Sequence, residues 1–165
     1  RRIKSQNPKL QTPSAQFGIL GVGIFLCMIR EFNLAGDYEA VLALWHSAGP
    51  GVNVGSSDTR EEIAKKLSRD PDLFLVAEEA GQIVGTVVGG FDGRRGMVYH
   101  LAVAAEYRGR GIGTSLMNEL ESSLKAKGCL KYYLQITSDN VDVVNFYEQL
   151  GWQRSPHIFM SKTTG

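Results

Sequence analysis

Apolar positions along the chain change period several times, and each change marks an element. Residues 28–33 form a short mixed run of strand character. Over 37–47, Val41, Leu42, Leu44 and Trp45 fit one face of an amphipathic helix. Gly49-Pro50-Gly51 then breaks the chain. Asp58 and Thr59, followed by Glu61 and Glu62, open a second helix whose core face takes Ile63, Ala64 and Leu67. Asp70-Pro71 stops it, because the residue before a proline is pushed out of helical geometry.

The next stretch is β-rich. Residues 73–78 and 83–91 are apolar runs of strand length, separated by Ala80-Gly81. Gly85, Gly89 and Gly90 interrupt the second run and predict a bulge or a close backbone approach. Asp92-Gly93 turns the chain into a third strand over 97–104, so 73–104 reads as a three-stranded antiparallel meander. Ile112, Leu116, Leu120 and Leu124 then repeat every four residues beside Met117, a strongly amphipathic helix with Gly128 at its C′ position. A strand over 131–137, a helix over 141–150 ended by Gly151, and one or two closing strands over 152–160, broken at Pro156, complete the pattern. The strand–helix–strand unit 97–137 is a right-handed parallel crossover. The fold class is α+β: a mixed central sheet, antiparallel first and then stepping once in parallel, flanked by about four helices.

Composition narrows the field. The chain has 165 residues, 43% hydrophobic and 21% charged, which suits one globular domain with a self-sufficient core. The net charge of +1 argues against a polyanion partner such as nucleic acid. Cys27 and Cys129 lie far apart with no metal or disulfide spacing, so they read as reduced thiols in a cytoplasmic protein, with no metal site. Residues 1–27 are basic and polar, then apolar; the apolar run 17–29 falls short of the roughly 20 residues a membrane span needs. It has the flavour of a secretory signal but lacks a small-x-small cleavage site. The division expected is an N-terminal extension over 1–27, upstream of the native start or loosely attached, and one domain over 28–165; a signal or an integral extra element are the alternatives.

The chemistry concentrates after the third strand. From His100 the chain reads Leu101-Ala102-Val103, then Arg108-Gly109-Arg110-Gly111-Ile112-Gly113-Thr114, a glycine-rich loop opening directly into the long helix. A helix N-terminus carries unpaired N–H groups and partial positive charge. Glycines let a phosphate approach such a backbone closely. Arg108 and Arg110 add charge, and together these features predict a pyrophosphate seat. A nucleotide P-loop needs Gly-Lys-Ser/Thr, which is missing, and Thr114 breaks the G-x-G-x-x-G dinucleotide spacing.

Arg108-x-x-Gly111-x-Gly113 resembles the Gln/Arg-x-x-Gly-x-Gly/Ala signature of the GNAT superfamily of acetyl-CoA-dependent N-acetyltransferases. A second motif agrees: Asn140, Tyr147 seven residues on, then Leu150-Gly151-Trp152, with Val143 in place of the usual alanine. The resemblance spans residues 28–162. It implies that the backbone of Leu101, Ala102 and Val103 holds the pantetheine arm. The amides from Arg108 to Thr114 would take the pyrophosphate, and Asn140 and Phe146 would complete the cofactor site. The strands over 97–104 and 131–137 would splay around the thioester. The reaction implied is direct acetyl transfer from acetyl-CoA, as co-substrate, to a primary amine in a ternary complex. Val103 N–H would face the developing oxyanion, and Tyr147 would be the general acid.

The base is less determined. Relatives often carry a glutamate on the central strand, where this chain has Tyr99 and His100. Imidazole titrates at about 6.5, so His100 suits a base acting through a water; a satisfied or substrate-contacting histidine is the alternative. Cys129 reads as structural, His46 and His157 as isolated. Arg94-Arg95 reads as a solvated turn or an anion contact, and Lys125, Lys127 and Lys131 as a solvated strip or a ribose-phosphate contact. The expected partners are acetyl-CoA and an amine acceptor, protein or small molecule, with no nucleic acid and no membrane; a homodimer is left open. The rival reading is a non-catalytic acyl-CoA-binding sensor or interaction module. The loops over 49–57 and 92–96 carry no readable acceptor code.

Overall fold

The computed structural model describes residues 27–163. The proposed extension therefore lies outside the described residues, apart from Cys27, which packs half-buried against the core. The first strand, β1 (Met28–Glu31), leads into α1 (Leu34–Ser47). This helix starts earlier than the apolar pattern suggests because Asn33, not Asp37, caps it. Asn33 Oδ1 accepts from the amides of Ala35 at 2.9 Å and Gly36 at 3.4 Å. Asp37 instead receives the Asn33 amide and a two-pronged bond from Arg30, which hold its carboxyl below the usual range.

Thr59 caps α2 (Arg60–Arg69) through a bond from the Glu62 amide. Ile63 is buried and Leu67 half-buried, but Ala64 is exposed, contrary to expectation. One residue is about 100° of helical rotation. On this short helix, turning Ile63 and Leu67 inward therefore carries Ala64 off the narrow contact stripe.

The meander is present as β2 (Phe74–Glu79), β3 (Gln82–Phe91) and β4 (Gly96–Val103). With β1 and β5 (Tyr132–Leu134) these make one five-stranded sheet in chain order, antiparallel throughout except for the parallel pair β4–β5. Alternation along β2 feeds two cores. Phe74 and Val76 join Val41, Leu44 and Trp45 of α1, whereas Leu75 and Ala77 join the helix on the other face.

That helix is α3 (Ile112–Ala126), with Ile112, Leu116, Met117, Leu120 and Leu124 all buried. Its approach to the sheet explains the glycines of β3: a Cβ on Gly89 would stand 2.6 Å from Leu120 Cδ1. Gly128 is the C′ residue expected. Its φ is +81°, and the amides of Cys129 and Gly128 return to the carbonyls of Leu124 and Lys125.

Three expectations at the C-terminal end are corrected. The strand expected over 131–137 shortens to β5, because its residues pair with β4 only from Gly96↔Tyr132 to Val98↔Leu134. The expected helix over 141–150 is a 3-10 turn (Val141–Val143) followed by α4 (Val144–Gln149). The closing strands over 152–160 are not formed: the segment has no regular structure, and Ile158, Phe159 and Met160 are exposed. Pro156 has no amide to donate, and polar Gln153, Arg154 and Ser155 give no apolar face to bury. No helix among the described residues is long and apolar enough to cross a membrane.

Candidate active site

Beyond Val98 and Leu134 the two parallel strands no longer pair. A cavity of about 720 Å³ opens there, walled by Tyr99 to Val103 on one side and by Leu134 to Thr137 on the other. Ala104 N–H donates to Val84 O at 2.9 Å, and Ala102 pairs with Thr86. Main-chain groups alternate between the two edges of a strand, so those of Leu101 and Val103 turn toward the gap and those of Ala102 toward β3.

The glycine-rich loop closes one end. Gly109 and Gly111 have φ of +74° and +80°, left-handed values that cost any L-residue about 1–2 kcal/mol. Gly111 is the N-cap of α3, and the first main-chain bond of the helix runs from Ser115 N to Gly111 O at 2.9 Å. The amides of Ile112, Gly113 and Thr114 therefore precede the ladder, and all three residues line the cavity. Arg108 lines it too, but its guanidinium is a strut: Nε donates to Val103 O at 3.0 Å and Nη2 to Ala48 O at 2.7 Å. Arg110 lies outside the lining, against Glu79 at 3.4 Å and 4.7 Å over the Tyr107 ring.

Asn140, Phe146 and Tyr147 form the far wall. Phe146 meets Tyr147 edge-on at 5.1 Å, and Trp152 backs Tyr147 at 6.0 Å. Burial pushes the Tyr147 phenol up to about 12. Asn140 reaches the loop after α1, where it touches Gly51. Thr137 Oγ1 is buried in this wall and has no hydrogen-bond partner among the described residues.

His100 sits at a bulge. Thr86 pairs with Ala102 and Val88 with Tyr99, so His100 and Leu101 of β4 oppose Val87 alone. The bulge holds His100 at φ +45°. Its carbonyl accepts from Thr86 Oγ1 at 3.3 Å, its ring lies 4.6 Å from Trp45, and Nε2 is 2.9 Å from Asp58 Oδ1. Asp58 is the residue that sequence reasoning missed. It was legible only as a helix-starting residue, and the long-range pairing that gives it chemistry has no local signal. The remaining candidates separate from the site. Cys129 is buried with Sγ on Lys131 O, Lys127 is tied to Asp72 at 2.9 Å, and Arg94 and Arg95 donate their amides to Asp92 in the hairpin turn.

The site fits a long acyl donor carrying a diphosphate. Unladdered amides at a helix mouth suit the phosphates, an open strand edge suits an amide-bearing arm, and the orphan Thr137 hydroxyl offers that arm a polar partner. The sequence profile of the acetyltransferase (GNAT) family matches residues 38–152, and the chain belongs to that family. It is 44% identical over 126 residues to an acetyltransferase of Pectobacterium atrosepticum, covering 76% of this chain and 88% of that one. It is 42% identical over 124 residues to an acetyltransferase of Sodalis glossinidius, covering 75% and 86%. The fold superimposes on the PaiA N-acetyltransferase of Thermoplasma acidophilum, solved in complex with coenzyme A, with a TM-score of 0.69 at 19% identity over 80% of this chain and 92% of that one.

Proposed function

We propose that the protein transfers the acetyl group of acetyl-CoA directly to a primary amine in a ternary complex. The observation that carries this reading is the convergence of Tyr147 and His100 on one cavity that also receives the N-terminus of α3. Acetyl-CoA, when bound, supplies an activated thioester, so that a C–N bond replaces a C–S bond without a covalent enzyme intermediate. The amides of Ile112, Gly113 and Thr114 bind the diphosphate, and the main-chain groups of Leu101 and Val103 hold the arm along β4. Asn140 and Phe146 bound the arm from the far wall. Holding both reactants together contributes up to ~7–11 kcal/mol toward the barrier in well-oriented cases.

Two proton transfers remain for the side chains. His100 takes the proton the amine loses, directly or through a water, and Tyr147 gives its phenolic proton to the departing sulfur. The raised Tyr147 phenol stays protonated at neutral pH, as an acid must. The test is a panel of primary amines (peptide N-termini, lysine peptides, amino acids, polyamines, aminoglycosides) offered with acetyl-CoA, with free-thiol release as the readout. Release above the amine-free rate is expected for at least one class. No release from any acceptor, with coenzyme A still binding by calorimetry, would replace the enzyme with a binding module.

A further inference from the structure

Asp58 has a role that neither motif contains. It lies at the end of a 3-10 turn (Ser56–Asp58) between α1 and α2 and is buried at 8% exposure. Its carboxylate is shared: Oδ2 accepts from the Gly55 amide at 2.8 Å, and Oδ1 meets His100 Nε2 at 2.9 Å. A carboxylate only accepts, so Nε2 carries the hydrogen. The second ring nitrogen, Nδ1, then holds the lone pair, and it has no hydrogen-bond partner among the described residues.

The ring also packs against α1. Trp45 flanks it at 4.6 Å, and the Trp45 indole donates to Thr86 Oγ1 at 2.8 Å, leaving the Thr86 hydroxyl to donate to His100 O. The ionisable group bonded to the ring is Asp58. Behind it, Tyr38 of α1 donates to the Asp58 carbonyl at 3.2 Å, and Arg60 of α2 lies 4.4 Å over the Tyr38 ring. Trp45 and Thr86 carry no charge, and Tyr147 is the ionisable group of the opposite wall.

We infer that Asp58 is a positioning residue for His100: it fixes the Nε2–H tautomer, leaves Nδ1 as the proton-accepting atom, and stabilises the imidazolium formed when the amine gives up its proton. This rests on the reading of His100 as base. The proton moves from the amine nitrogen to Nδ1 and later to solvent, and the Asp58 carboxylate keeps its contact with Nε2.

The test joins a spectroscopic readout with kinetics. In wild-type protein labelled with ¹⁵N-histidine, His100 is expected to show an Nε2-bound proton shielded from exchange, and Asp58→Asn is expected to remove that protection. With an acceptor from the amine panel, Asp58→Asn lowers the plateau kcat at least about tenfold and moves the acid limb of the pH–rate profile to lower pH, while the KM for acetyl-CoA stays within about twofold. Asp58→Glu restores part of the rate. A His100→Ala enzyme at full rate would overturn the base reading and the inference together. A slow His100→Ala enzyme beside an Asp58→Asn enzyme with wild-type rate and profile would overturn the inference alone. Should Asp58→Asn not fold, the wild-type spectrum decides: a freely exchanging His100 Nε2 proton rejects the pairing.

Discussion

Gly51 and Asn140 touch across the mouth of the cavity, so closely that a Cβ on Gly51 would stand 2.0 Å from Asn140 Nδ2 and 2.9 Å from its Cγ. One belongs to the loop after α1, the other to the wall beyond β5. The contact joins two segments of the cavity lining. Gly51 also has φ +95°, so alanine there is strained whatever the space. Gly51→Ala is expected to drive the Asn140 amide out of place and raise the KM for acetyl-CoA about three- to tenfold, with kcat little changed. Combined with Asn140→Ala, the second substitution should add less than it does alone, because the two act on one contact. Fully additive effects in the double-mutant cycle would reject the coupling.

Tyr147 gives a prediction in two currencies. Its phenol is pushed up to about 12 by burial, against about 10 in an unfolded chain. The folded state thus keeps its proton where the unfolded state loses it, and stability is fully present below about pH 10 and lost as pH rises toward about 12. Urea midpoints at pH 9 and pH 11 should fall more for wild type than for Tyr147→Phe, which has no such proton to lose. At pH 7.5, Tyr147→Phe should lower kcat by about 10²-fold with a near-normal midpoint. An unchanged kcat would remove the acid assignment.

The Thr86 hydroxyl links helix to strand. It accepts from the Trp45 indole and donates to the His100 carbonyl, and Thr86 is wholly buried. Thr86→Val keeps the shape but leaves the indole N–H without a partner, at a cost of about 1–3 kcal/mol. At about 2–4 °C per kcal/mol for a domain of this size, the melting temperature should drop by several degrees. Trp45 fluorescence should report the altered environment before unfolding. A Thr86→Val protein as stable as wild type would mean the indole finds another acceptor.

Why some of this was legible in the sequence and some was not follows from the range of each interaction. The four-residue repeat from Ile112 to Leu124, the C′ glycine at Gly128 and the glycine loop before α3 are set by neighbours, so spacing alone locates them. The start of α1 was harder, because its cap, Asn33, lies outside the apolar pattern, while the Asp37 carboxylate is paired with Arg30. Ala64 facing solvent, β5 ending at Leu134 and the unpaired 152–160 depend on what the rest of the sheet leaves to pack or pair with. The Asp58–His100 pair belongs to the same group: each residue is ordinary alone, and the fold brings them together from 42 positions apart.

The glycine loop separates two demands that its signature writes alike. Gly111 caps α3 at φ +80°, a conformation costly to alanine by about 1–2 kcal/mol, and it also sets the direction of the amides behind it. Gly113 is inside the helix. A Cβ there would meet Phe146 at 3.4 Å and Val103 at 3.7 Å, ordinary contact distances. Gly113→Ala should therefore fold with unchanged stability and keep coenzyme A affinity within about threefold. Gly111→Ala should lose roughly 1–2 kcal/mol of stability and at least about tenfold in affinity, because the amides of Ile112 to Thr114 tilt away from a bound diphosphate. Calorimetric titration with coenzyme A, beside thermal melts of both variants, reads the two effects separately. Equal losses in the two proteins would mean that the phosphate seat needs the absence of a side chain at both positions, and that backbone direction at Gly111 contributes nothing of its own.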